Sequence, residues 1–430
     1  MCLKFTTKGM EASMKRFSMT ASLLLLVLAT GMTAFAQSST EVGPDFLKTA
    51  RHLHSNVHPP KKVNLDSLSS SGLPGIDSIV NFTGQFDANG IGVDGNPQNL
   101  WSFSMVGHDP QKGGVTFIPA PIIPVSLDLL AADGSVAMHY DVTPFVQPTL
   151  LSPIFFFAKF LSSPLPTQWA DADMRATFFH SMRQDWHTLL SPALKRSMTM
   201  TLPFGKYVAQ PNSDGSCCLF VLVDDATFQN LLFPPTFPVD NTTLIGAAEL
   251  NGDMTTKDLT TFLFPNTYLY ENGDVNQCCV LGFHTFDSEP GIPANGNLPR
   301  AYMMDYSSWI TPGLFGAGFQ DVTALSHEVA ETINDPFVGF DNVHNITPWW
   351  LSGNQCQDLL EVGDVVESLP ANVTTPVKNI FGQTYNLQNV ALLQWFEFQQ
   401  HSDAFQAAYS FPNKDALPDL SPFENPGCAP

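Results

Sequence analysis

The chain has 430 residues, of which 44% are apolar and 14% charged, with 34 proline and 29 glycine. That is enough apolar material for one large or two ordinary domains; it excludes a mostly disordered chain, and so many helix breakers argue against a helical bundle. Lysine and arginine number 19 against 40 aspartate and glutamate, a formal charge of −21, which excludes nucleic acid as a partner through its phosphate backbone.

Residues 1–36 read as an export leader. Lys15 and Arg16 precede the apolar run Ala21–Thr30, and Ala34-Phe35-Ala36 supplies small residues for a cut before Gln37. The apolar run falls short of the ~20 residues a bilayer span needs, and no later stretch reads as one. The expectation is a secreted or periplasmic protein with no membrane span in the mature chain. Cysteine usage agrees: after Cys2 leaves with the leader, Cys217, Cys218, Cys278, Cys279, Cys356 and Cys428 remain as disulfide candidates. Expected are one or two bridges between the two adjacent pairs, and a Cys356–Cys428 tie at the C-terminus. A cysteine metal site is disfavoured, because CC lacks the CxxC spacing that lets two thiolates reach one ion. Asn81, Asn241, Asn345 and Asn372 each begin an N-x-[ST] sequon.

Residues 37–75 have little periodicity and read as a linker or pro-segment. Between residues 76 and 150, short apolar runs at Val115–Ile118, Ile122–Leu130 and Val136–Val142 alternate with turn residues and fit a small β-rich unit. Residues 151–430 open on a helix over Asp171–Gln184. Strand candidates follow at Met198–Leu202, Leu219–Val223, Leu259–Phe264, Val280–His284 and Ala301–Tyr306, and then a helix over Asp321–Asn334. This is an α+β pattern, a mixed sheet with one site-bearing helix behind a β-rich unit.

That last helix carries the chemistry. Asp321 is placed to cap it and Pro336 to end it. On a wheel of ~100° per residue, Val322, Leu325, Val329 and Ile333 form an apolar stripe, while His327 and Glu331 share the opposite face one turn apart. An H-E-x-x-H helix gives zinc two histidines and a catalytic glutamate; here the pattern is H-E-x-x-E, with Glu331 in the second ligand's place. His327 and Glu331 are thus candidate ligands and Glu328 the candidate general base. One zinc ion is expected, with other divalent metals open because added carboxylate suits harder ions. The third ligand is sought in the acidic stretch Asn354–Asp364: Glu361 first, Asp364 as its hydrogen-bond partner or an alternative ligand, Asp335 and Asp358 as fallbacks. The competing reading is a polar structural helix, but the helix has no lysine or arginine to neutralise its glutamates. His284, after a strand candidate, is a possible donor to a developing oxyanion, or a structural histidine.

The blocks Ser326–Pro336 and Leu360–Asp364 resemble secreted proteins with S-H-E-x-x-E-x-x-x-[DN]-P followed by E-[IV]-[GA]-D, among them bacterial and fungal proteins of unassigned function and the plant phosphate-induced, exordium-like proteins. Thr167–Ala172 and Gly282–His284 look like further shared elements, and the resemblance runs patchily over residues 115–430. A sheet followed by an H-E-x-x helix is also similar to the zincin metallopeptidases. The resemblance implies His327, Glu331 and Glu361 as ligands and Glu328 as the catalytic carboxylate. The functional expectation is a secreted zinc hydrolase acting on an extracellular peptide or protein. The alternative is a non-catalytic secreted metal protein that binds glycans or cell-wall polymers, with Trp349-Trp350 as a stacking platform. A glycoside hydrolase with paired carboxylates stays open. G-x-S-x-G and G-x-x-x-x-G-K motifs are absent from the sequence.

Overall fold

The computed structural model describes residues 76–87, 100–212, 218–234, 241–293, 296–315, 318–338, 349–351, 355–357, 360–367 and 373–420. The expected leader and linker, the sequons at Asn345 and Asn372, Asp358, Cys217 and Cys428 lie outside the described residues, as do the side chains of Trp349, Trp350 and Cys356.

Strands β1 (Asn81–Asp87) and β2 (Leu100–Val106) form an antiparallel ribbon. There follow β3 (Val115–Leu130), β4 (Val136–Tyr140), helices α1 (Thr143–Leu150) and α2 (Trp169–Thr177), and β5 (His187–Leu194), β6 (Met198–Leu202), β7 (Tyr207–Pro211) and β8 (Leu219–Asp224). Helices α3 (Asp225–Leu232) and α4 (Leu244–Asn251) lead into β9 (Leu259–Pro265), β10 (Thr267–Tyr270), β11 (Cys278–Val280), β12 (Gly282–Glu289) and β13 (Arg300–Trp309). Helix α5 (Thr323–Asn334) precedes β14 (Trp349–Leu351), β15 (Gln355–Gln357), α6 (Val362–Glu367), β16 (Thr374–Lys378), β17 (Thr384–Gln388), β18 (Val390–Ala391), α7 (Leu393–Phe396) and β19 (Ser410–Phe411). The architecture is α+β, and none of the described helices is long and apolar enough to cross a membrane.

The main sheet runs β12-β13-β9-β3-β4, with β5 and β6 also on β3, and is mixed: β12–β13 and β3–β4 are antiparallel, the other pairs parallel. The expected runs Val115–Ile118 and Ile122–Leu130 are one strand of 16 residues. Between residues 115 and 121 it has a strand partner, β5, on one edge. Pro119 and Pro121, two apart, can therefore leave their missing N–H groups on the open edge. Because β3 pairs with β5, β6 and β9, the 76–150 segment and the remainder share this sheet.

Strand parity sorts the core onto two faces. Leu263, Phe286 and Met303 pack with Val322, Leu325, Val329 and Ile333 of α5. Phe264, Phe283, Met304 and Tyr306 pack on the other side with Phe228 and Leu232 of α3 and Ile245 and Ala248 of α4.

Three local expectations are corrected. The helix placed over Asp171–Gln184 ends at Thr177 and starts at Trp169. Asp321 does not cap α5. Its φ is 50° and its carboxylate instead accepts from the Asn386 amide at 3.0 Å and side chain at 2.9 Å, so it ties the helix entrance to β17. The far end is as expected, with Asn334 the last helical residue before Pro336. The polar face of α5 lies against β12 and α6, and every residue of the helix is buried. Finally, Cys278 bonds to Cys279, within a pair rather than between pairs. The sheet order β11-β10-β8-β7 explains this, since β10 separates β11 from β8. Cys278 lies opposite Tyr270, which pairs with Asp224, whereas Cys218 precedes the other end of β8. Two strand spacings of ~4.8 Å and about six residues at ~3.3 Å separate them, far beyond disulfide reach.

Candidate metal centre

Sheet register lays the floor of the site. His284 on β12 stands opposite Asp305 on β13, which stands opposite Thr261 on β9. All three have the parity of Phe286, Met303 and Leu263, so a polar row crosses three strands on the face that α5 covers. The Thr261 hydroxyl donates to Asp305 Oδ2 at 2.9 Å, which fixes that carboxylate beside His284.

Helix α5 brings His327, Glu328 and Glu331 to this row, and the turn into α6 brings Glu361 and Asp364. Two glycines permit the approach. A Cβ on Gly282 would lie 2.6 Å from Glu328 Oε1, and one on Gly363 would lie 2.4 Å from His327 Nδ1. Each position therefore admits only a bare backbone against a site residue.

The functional atoms converge. His327 Nε2 is 3.0 Å from Glu331 Oε2 and 3.4 Å from Asp364 Oδ1. His284 Nδ1 is 3.3 Å from the same Glu331 oxygen and 3.6 Å from Glu328 Oε2, and its Nε2 is 3.9 Å from Glu361 Oε2. Glu331 Oε1 accepts from the amides of Gly363 at 3.0 Å and Asp364 at 3.3 Å, leaving Oε2 aimed at both imidazoles. Asp335 accepts from the Leu360 amide at 3.1 Å and so holds the chain that delivers Glu361.

These groups are withdrawn from water: His284, His327, Glu328, Glu331 and Glu361 are all 0–1% exposed. Both nitrogens of each imidazole, both oxygens of Glu328 and Glu361, and Glu331 Oε2 lack a hydrogen bond within the protein. Orphaned buried polar groups each cost about 1–3 kcal/mol, and buried charges more. The protonation pattern shows the same demand for positive charge. Burial opposes a charged His284, yet Glu361, Glu328 and Glu331 hold its pKa well above the ordinary range. Burial likewise opposes a charged His327, and Glu331 and Glu328 raise it well above that range. Burial, with Glu331 next, pushes Asp364 up to about 8 and Glu361 well above the carboxylate range. Glu331 alone is depressed despite burial, by His327 and His284. A cation fits this demand. Two groups, His284–Glu331–Glu361 and His327–Glu331–Asp364, have ligand atoms within 4.8 Å of one another and can hold a metal ion. Their imidazole and carboxylate donors suit divalent first-row ions.

The residues expected to form one ligand set are thus distributed over two. His327 and Glu331 join Asp364, whereas Glu361 joins Glu331 and His284. Glu328 lies beside both groups, and Asp335 acts through the backbone of Leu360. Sequence reasoning offered His284 as an oxyanion donor or a structural histidine, took Gly282 and Gly363 only as parts of the resembling blocks, and did not single out Asp305. The signal for His284 was a lone imidazole at the inward parity between Gly282 and Phe286, but its partners lie on other strands and helices. The shared-looking block Thr167–Ala172 belongs to the scaffold. Asp171 accepts from the Thr167 hydroxyl at 2.6 Å, His187 Nδ1 at 2.9 Å and the Thr188 amide at 2.8 Å, tying α2 to β5. In comparison with known proteins, the chain matches no protein family, no curated protein and no solved structure.

Proposed function

We propose that the protein is a secreted metal-dependent hydrolase with zinc as its ion and an extracellular peptide as its substrate class. In this reading the mixed sheet and the helix bearing His327, Glu328 and Glu331 form a zincin-like site, and residues 1–36 are the leader that exports it. The observation that carries the reading is Glu328: a buried carboxylate beside both ligand groups, in neither of them, with no hydrogen bond on either oxygen. An ion held there would supply Lewis-acid polarisation and would acidify a water toward a pKa of ~7. Glu328 is placed to take a proton as general base and to return it to a leaving amine.

A second reading is favoured by the burial itself. His284, His327, Glu331 and Glu361 at 0–1% exposure suit a structural centre, in a secreted protein that binds glycans or cell-wall polymers without turning them over. Glu328→Gln separates the two. The hydrolase reading expects peptide cleavage to fall by about 10²–10⁴-fold with metal content unchanged. Undiminished cleavage by the variant would remove Glu328 from the mechanism. Wild-type protein that retains metal but cleaves no member of a peptide library would favour the structural reading.

A further inference from the structure

Within the metal-centre reading above, on which this inference rests, we infer that the site holds two divalent ions bridged by Glu331, with His284 and Glu361 on one and His327 and Asp364 on the other.

Three observations carry it. The first is the division of the ligands. Donors on one ion bound at ~2.0–2.2 Å lie no more than ~4.4 Å apart. Two groups in this protein hold their ligand atoms within 4.8 Å of one another, near that limit, and Glu331 is their sole common member among the described residues. Each half has one imidazole from a different element, β12 or α5, and one carboxylate from the segment around α6.

The second is the posture of Glu331. Its Oε1 is occupied by the Gly363 and Asp364 amides, and its Oε2 is 3.3 Å from His284 Nδ1 and 3.0 Å from His327 Nε2. One oxygen thus faces two imidazoles, the placement a carboxylate needs to bridge neighbouring ions through a single atom. Two-metal sites hold their ions ~3.5–4 Å apart, a spacing such a bridge allows.

The third is charge. Glu328, Glu331, Glu361 and Asp364 place four carboxylates around two imidazoles, and the ion-pair partners of Glu328, Glu331 and Glu361 are those imidazoles. With neutral histidines and these four carboxylates ionised, one divalent ion leaves two negative charges uncompensated, which is strongly unfavourable in a site withdrawn from water. A second ion offsets those two, while Asp305, beside His284, has the Thr261 hydroxyl as its own donor. Imidazole and carboxylate donors suit zinc, manganese and iron, and a second ion adds a clamp on both the attacking and leaving atoms of a hydrolytic step.

The test is metal stoichiometry of the full mature chain, purified without chelators and titrated to saturation with Zn²⁺, in the wild type and in Glu361→Gln, Asp364→Asn and Glu331→Gln. These near-isosteric replacements are checked for native circular dichroism, and His284→Ala and His327→Ala serve as the second variant in each half. The inference expects about two zinc ions per wild-type chain, about one in each variant of either half, and loss of both in Glu331→Gln. Loading with Mn²⁺ should give the electron paramagnetic resonance signature of an exchange-coupled pair. One ion in the wild type, or two that persist in every variant, overturns the inference; the single-ion result leaves the hydrolase reading standing. No ion at saturation overturns both.

Discussion

Strand β12 has a buried acid cluster on each face, and the two solve their charge in different ways. On the α5 side, His284 meets Glu328, Glu331 and Glu361. On the other side, Asp287 and Glu289 meet Glu249 of α4. There burial, with the Asp287 charge next, keeps Glu249 protonated, while Arg300 and the Tyr302 hydroxyl each approach Glu289 at 3.4 Å. A proton retained on Glu249 and a guanidinium answer the second cluster's charge, and it has no imidazole. The first has two imidazoles whose nitrogens are unsatisfied within the protein. Buried acids alone therefore do not make a candidate metal centre in this acidic chain. The convergent histidines with orphaned nitrogens set the first cluster apart as one that could hold an ion.

The comparison can be broken most sharply at Gly363. Its Cβ in Gly363→Ala would meet His327 Nδ1 at 2.4 Å, and its amide holds Glu331 Oε1, so the backbone cannot retreat without losing that bond. Saturating metal content should fall by at least half and stability by about 1–3 kcal/mol. An unchanged metal content would show that His327 is not a ligand. The other face should respond in the opposite sense. Burial, with the Asp287 charge next, pushes Glu249 up to about 10, so the folded protein keeps a proton that the unfolded chain releases from pH ~4.5 upward. That contribution to stability is lost as pH rises toward 10. Glu249→Gln removes the titration and should raise Tm relative to the wild type by about 2–4 °C at pH 9 and by less at pH 5, with metal content unchanged. Loss of metal in that variant would mean the two faces are coupled.

What was legible in the sequence follows from locality. The i, i+4 spacing put His327 and Glu331 on one helix face, and Pro336 fixed the helix end, because both depend only on near neighbours. Glu361 and Asp364 stood out as a dense acidic stretch. The role of His284 was not legible, because it follows from the β12–β13–β9 register and from the packing of α5 onto β12, both set by distant segments. The assignment of Glu361 to His284 rather than His327 is lost for the same reason. So are the contributions of Gly282 and Gly363, which stood only as members of the resembling blocks, because their close approach to Glu328 and His327 is set by packing. The cysteine pairing was misread because adjacency to strands was visible and strand order was not.

The most direct test of the metal centre is anomalous scattering from crystals of protein purified without chelators and soaked with Zn²⁺, recorded above and below the zinc edge. Anomalous density within bonding distance of His284 and His327, flanking Glu331 Oε2, is the predicted result. An anomalous map empty between these side chains at full zinc would contradict the assignment of the buried cluster as a metal centre.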